Sequence, residues 1–271
     1  MKKVGVALYN NFRGSIESFF SFLHNLGVDY VEIGKEWIPQ RGDKRRMRDL
    51  LDIYDLKANL HVSQHYNLAE LDNKKWKRNV LGVLGDLGVC YDLQIENAVL
   101  HCGWLERDDA SVNSIDEGFL RFAEAYGVIH DYAQDFGVKI GLENQCTDGY
   151  KRHIFQDGQG VDRLEEVAGR DPGRDLYYVL DVGHLGRLGL PLGQMMERIE
   201  DKLIGIHLHD YDDHGRDHLP VGTGNLETGE LFNMIKGKDL FITIENRSVP
   251  HIKYSFLHSP LTMLCHPACR I

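Results

Sequence analysis

Seven polar residues, Glu32, His61, His101, Glu143, Asp181, His207 and Glu245, each close a short, mostly apolar run. The runs are Val28 to Val31, Ala58 to Leu60, Ala98 to Leu100, Ile140 to Leu142, Tyr178 to Leu180, Ile204 to Ile206 and Ile242 to Ile244. Carboxylate oxygen and imidazole nitrogen together hold hard or borderline divalent cations such as Mn²⁺, Mg²⁺, Co²⁺ or Zn²⁺. Such a cation polarises carbonyl and phosphoryl oxygens, so metal-assisted chemistry is the leading reading. Its core is Glu143, Asp181, His207 and Glu245, one from each of the last four runs. A single strand-end carboxylate is often a helix-cap partner or a solvated charge, but four ligand-type residues in succession are hard to explain that way.

Residues so far apart in sequence meet if the runs are parallel strands of a barrel, whose C-terminal ends converge on one rim. Lys3 to Leu8 supplies a further strand, making eight, and amphipathic stretches alternate with the strands along the chain. This is the βα repeat of an α/β protein and predicts a (β/α)8 TIM barrel. Ile16, Phe19, Phe20, Phe22, Leu23 and Leu26 have helical spacing before a stop at Gly27, and Ser114 with Glu117 forms a helix-start signature. Further helices are expected at Trp76 to Leu87, Val161 to Val167, Leu192 to Ile199 and Leu231 to Ile235. The 271 residues match the roughly 250 of one barrel, and no linker interrupts them, so residues 1–271 are expected to form a single domain. Pro250, Pro260 and Pro267 predict an irregular tail over about 247–271, with an eighth helix short or irregular.

Composition narrows the function. Charged residues at 27% and apolar residues at 42% describe a globular protein, and no run approaches the roughly 18 residues of a membrane span. No secretory leader is recognisable before the first run, and the five cysteines are odd in number and scattered. A cytoplasmic location is expected. A net charge of -10 disfavours a broad nucleic-acid surface. Arg41, Lys44, Arg45, Arg46 and Arg48 form one local basic cluster, read either as a phosphate-facing loop or as a solvated helix face.

The motifs then point to a family. Val31-Glu32-Ile33-Gly34, His61 with Asn67-Leu68, His101-Cys102-Gly103, Gly141-Leu142-Glu143-Asn144, Leu180-Asp181-Val182-Gly183-His184, His207-Leu208-His209-Asp210, Gly222-Thr223-Gly224-Asn225 and Ile244-Glu245-Asn246 together resemble the xylose isomerase-like barrels. That superfamily includes sugar isomerases and epimerases as well as endonuclease IV. In the isomerase and epimerase branch the resemblance implies one divalent metal on Glu143, Asp181, His207 and Glu245. It implies proton transfer beside a metal-bound carbonyl through an enediolate, with Glu143 and Glu245 as base and acid. The substrate would be a small sugar, a polyol-derived ketose or a sugar phosphate, and a homodimer would be usual. His184 would reach a substrate oxygen, and Glu32, Trp104 and Arg216 are read as substrate contacts.

The endonuclease IV branch implies three zinc ions acting on abasic DNA. His61, His101 and Glu143 would serve one, the four-residue set a second, and His184 with His218 a third. The aspartate expected two residues before His218 is replaced by Arg216, which cannot coordinate metal, and the DNA-reading segments of the first two strands have no counterpart. The isomerase or epimerase reading therefore leads.

Several residues keep two readings. His61 and His101 are either ligands or hydrogen-bonded rim histidines. His209 would share an inward face with His207 if its strand continued, but a strand ending before it gives a loop role. The Gly222, Gly224 and Gly229 loop suits phosphate or a plain turn. Cys265, His266 and Cys269 lack a second ligand pair and read as tail.

Overall fold

The computed structural model describes residues 3–8, 12–38, 43–106, 112–147, 149–168 and 173–263. Its strands are β1 (Lys3–Ala7), β2 (Tyr30–Gly34), β3 (Lys57–His61), β4 (Asn97–His101), β5 (Trp104–Glu106), β6 (Lys139–Glu143), β7 (Lys151–His153), β8 (Tyr177–Asp181), β9 (Leu203–Leu208) and β10 (Phe241–Ile244). Eight of them close into a barrel in the order β1-β10-β9-β8-β6-β4-β3-β2, all pairs parallel. Helices follow the strands, as expected for a TIM barrel. The short pair β5 and β7 is antiparallel and stands apart, linking the segments after β4 and β6.

Two cores result. The larger lies between barrel and helices and draws on residues from Val4 to Leu261. The smaller, Tyr30, Val99, Val179 and Phe241, fills the barrel interior. Space for it comes from glycine. A Cβ on Gly5, Gly141 or Gly205 would sit 2.4, 2.5 or 2.2 Å from Tyr30, Val179 or Phe241 respectively, so three strands give up side chains for their neighbours to pack. Because strand side chains alternate, the residues two further along the same strands, Glu32, His101, Asp181 and Thr243, occupy the next layer toward the C-terminal rim.

The helices mostly follow the periodicity. Ile16–Leu26 is capped by Ser15 and stops at Gly27, whose φ of 73° suits the left-handed conformation that glycine reaches without strain. Asn73–Leu87, Gly158–Ala168 and Thr228–Met234 begin three residues earlier than their apolar spacing indicated, and Leu192–Ile199 matches it. Two expectations are corrected. The helix Val112–Asp135 starts before Ser114, so Ser114 lies in the first turn instead of capping it. As far as residue 263 the tail is also more regular than its prolines suggested, with a helix at Val249–His258. Pro250 falls in that helix's first turn, where its missing N–H has no intrahelical acceptor to lose, and Ser248 caps the end. Pro260 opens a 3-10 turn, Pro260–Met263.

The basic cluster resolves as a helix face for the part described. Lys44 and Arg48 belong to the helix Asp43–Ile53 and pair with Asp92 and Asp52, while Arg45 and Arg46 are exposed. Arg41 and the Cys265, His266 and Cys269 group lie outside the described residues. Among the described residues no helix is long and apolar enough to cross a membrane.

Candidate metal centre

Register brings the strand ends together: His101 lies level with Glu143, and Asp181 level with His207. One ligand atom from each of Glu143, Asp181, His207 and Glu245 falls within 4.8 Å of the others, and so do those of His61, His101 and Glu143. Glu143 belongs to both sets. All four residues of the first set are buried, so the charges cannot be dissipated into water.

The histidine orientations test whether a cation fits. His207 places Nε2 against Glu32, at 3.2 Å from Oε1 and 3.3 Å from Oε2. Its Nδ1 has no hydrogen-bond partner yet faces Glu143 Oε1 at 3.3 Å and Glu245 Oε1 at 3.2 Å. With Nε2–H donating to Glu32, the Nδ1 lone pair points at two carboxylate oxygens, an arrangement that a shared cation satisfies. His61 repeats the pattern: Nδ1 bonds the Val62 carbonyl at 3.0 Å, leaving Nε2 toward Glu143 Oε2 at 3.4 Å. His101 Nε2 lies 2.9 Å from the same oxygen. The donors therefore fit a divalent cation.

Electrostatics without a cation is a balance between burial and close opposite charge. Burial alone would raise the Glu143 carboxyl, but His207 and His101 hold it well below the usual carboxylate range. Burial likewise opposes ionisation of Asp181, and His184 and His209 outweigh it. Glu245 goes the other way. Burial, with Glu143 and Asp181 close by, pushes it up to about 7 against the pull of His207.

The expected substrate contacts separate. Glu32 is 1% exposed and sits behind His207, where the Thr243 hydroxyl donates to its Oε2 at 2.9 Å. From that position it braces His207 and does not face open solvent. Trp104 stands on β5 with the Lys151 ammonium 4.1 Å from its ring centroid, so one face is already covered. Arg216 points away, exposed and paired with Asp212 at 2.5 Å. The loop carrying it is organised by Asp212 and not by the cluster, so the structure does not bring Arg216 to the centre.

His184 and His218 are brought close to the cluster. His184 Nδ1 lies 2.9 Å from Asp181 Oδ2, and His218 Nδ1 bonds the Glu245 carbonyl at 2.9 Å. His209 corrects the loop reading. It is fully buried, accepts the His218 backbone N–H at Nδ1 (2.9 Å) and thereby presents Nε2–H to Asp181 at 3.0 Å. A Cβ on Gly183 would meet its ring at 2.0 Å, so glycine there makes room for it. The period-two spacing from His207 was the available signal.

Two further roles escaped the sequence reading. Asp210 is fully buried and accepts backbone N–H groups from Gly222, Gly224, Leu226 and Tyr211 at 2.8 to 2.9 Å. The glycine loop thus already holds an internal carboxylate in place of a phosphate. Asn144 exchanges two bonds with the Asp181 backbone, at 2.8 and 3.0 Å, and Asn246 donates to the Leu219 carbonyl at 2.8 Å. Each Glu-Asn pair therefore combines a ligand-type residue with a backbone clamp, Asn144 on the end of β8 and Asn246 on the loop at Leu219.

Residues 20–254 match the family described as Xylose isomerase-like TIM barrel. The chain belongs to that family. An uncharacterized protein of Methanocaldococcus jannaschii is 28% identical over 83% of this chain and 76% of its own length. A probable endonuclease 4 of Mycoplasma mycoides subsp. mycoides is 24% identical over 76% of this chain and 73% of its own. Among solved xylose isomerase-like structures, a D-tagatose 3-epimerase-like protein superposes with a TM-score of 0.79 at 23% identity, covering 94% of this chain and 95% of that one. The 3-keto-D-glucoside 4-epimerase of E. coli gives 0.76 at 14%, covering 94% and 96%. At these identities the structural likeness establishes the barrel and not the reaction.

Proposed function

We propose that this chain is a divalent-metal-dependent isomerase or epimerase of a small sugar, a polyol-derived ketose or a sugar phosphate. The observation that carries the reading is the unpartnered, buried His207 Nδ1 facing Glu143 and Glu245 inside a set of four ligand atoms within 4.8 Å. Glu143, Asp181, His207 and Glu245 would hold the ion, of manganese, cobalt, magnesium or zinc type. A divalent ion there supplies Lewis acidity toward a ketose carbonyl. Glu143 and Glu245, both beside His207, are the proton-transfer pair that the resemblance to the isomerase and epimerase branch implies, one taking the proton beside the carbonyl and the other returning it. Glu32 holds His207, and His209 with Asn144 holds Asp181. The epimerases among the structural neighbours support this reaction class.

Solvent deuterium exchange into a turned-over ketose tests it. Glu143→Gln or Glu245→Gln should each slow exchange by about 10²- to 10⁴-fold, the usual range for positioned acid–base groups. Exchange that persists at the wild-type rate in both variants removes the reading.

One observation favours a second reading, a zinc phosphodiesterase acting on abasic DNA: His61 and His101 converge on Glu143 at 3.4 and 2.9 Å as an additional ligand set. It ranks lower because the third ion would need a carboxylate that Arg216 has replaced. Asp217, the nearest substitute, is engaged by Arg187 and Arg247. Two or three zinc ions per chain with cleavage of an abasic duplex would place it first.

A further inference from the structure

At the edge of the centre two arginines share one acid. Arg187 ends the helix Val182–Arg187 that also carries His184, and its Nη1 contacts both Asp217 Oδ2 and, at 3.2 Å, Cys146 Sγ. Arg247, two residues beyond Glu245, brings Nη2 to 3.5 Å from Asp217 Oδ1. Among the described residues neither guanidinium has a second carboxylate, so the group carries one net positive charge in a chain of net charge -10.

Each guanidinium has five N–H donors, and these contacts use one nitrogen of each. The side chains are 27% and 55% exposed, against 15% for Asp217, so the acid is covered and the cations face outward. The group is also near the centre. Cys146, His184 and Asp217 offer atoms within 4.8 Å of one another, and His184 contacts Asp181 at 2.9 Å. Through Asp217 the arginines thus adjoin His184, which itself contacts the four-residue set at Asp181.

We propose that Arg187 and Arg247 form an oxyanion subsite and that the substrate is a ketose with an anionic terminus, phosphate or carboxylate. This rests on the isomerase or epimerase reading for the other end of the substrate. A planar guanidinium fork can donate to two oxygens of either oxyanion at once, and Asp217 holds the pair in place without neutralising both. A neutral sugar would leave the excess charge and its donors to water alone.

The test is titration calorimetry on the metal-loaded full chain with a panel of ketopentoses and ketohexoses, their terminal phosphate esters and the matching keto acids. For the best-bound set the anionic form should bind at least about tenfold more tightly than its neutral parent, the gain expected of one charge-assisted bidentate contact. Arg187→Gln combined with Arg247→Gln should bring the ratio near one with metal content unchanged, while Arg187→Lys, which keeps the charge, should retain part of it. A preference for the ester assigns the subsite to phosphate, and a preference for the acid assigns it to carboxylate. The proposal is overturned if no anionic form outbinds its parent, or if the advantage survives the double substitution. Deuterium exchange separates the two ideas: an anion preference without exchange sinks the isomerase reading alone, and exchange into neutral ketoses without a preference sinks the subsite alone.

Discussion

Tyr30, Val99, Val179 and Phe241 floor the barrel with apolar packing, whereas Glu32, His101, Asp181 and Thr243, two residues further along the same four strands, build a buried polar layer. In the lower layer the glycine gaps make room for the packing, and its one side-chain polar atom, the Tyr30 hydroxyl, is satisfied by Thr243 Oγ1 of the layer above at 2.7 Å. The upper layer leaves Glu32 Oε1 and His207 Nδ1 without hydrogen-bond partners and crowds carboxylates that burial disfavours. One backbone thus carries both designs, and the switch between them occurs over a single side-chain repeat. The floor serves stability, and the layer above it holds buried charge and unpaired polar atoms at a cost in stability.

Substitution of the floor should have the largest effect on folding. Phe241→Ala removes a ring that is 5% exposed and fills the space left by Gly205, so a loss of about 3–5 kcal/mol is expected from the lost transfer energy and the cavity. Denaturant unfolding of metal-free wild type and variant measures it. A loss below 1 kcal/mol would show that the floor does not carry the barrel.

The upper layer should respond to cations instead. A divalent ion that binds the folded chain alone stabilises it by about 2.7 kcal/mol at 100 times its Kd. The same increment should appear in Phe241→Ala and vanish in Asp181→Asn, which leaves the floor intact. An equal increment in Asp181→Asn would place the cation elsewhere.

The contrast also explains what could be read from the chain. The floor and the ligand layer share one period-two rhythm, so each apolar run and the polar residue closing it were visible together, and parallel strands then imply a common rim. The partners of that rim were harder to see. Arg216 reads as a substrate contact in the sequence, but Asp212, four residues earlier, claims it. The Gly222 and Gly224 amides suggested phosphate because nothing local reveals that Asp210 turns back to accept them. Pro250 was read as a helix breaker because its effect depends on whether it falls in the first turn, which tertiary packing decides.

His209 belongs to both accounts, with the right parity for the inner face and a position just beyond the end of β9. If it holds Asp181 as the geometry indicates, His209→Leu should weaken cation binding by about 10- to 100-fold, the usual cost of losing the partner behind a ligand. His209→Gln, which can still present an N–H to Asp181, should recover part of that. Isothermal titration with manganese and with zinc, alongside unfolding of the metal-free variants, separates this effect from general damage. Loss of folding stability without loss of cation affinity would move His209 into the structural class with Phe241. Loss of affinity with recovery in the glutamine variant would show that the functional layer reaches one residue past the strand, through the N–H that His209 presents to Asp181.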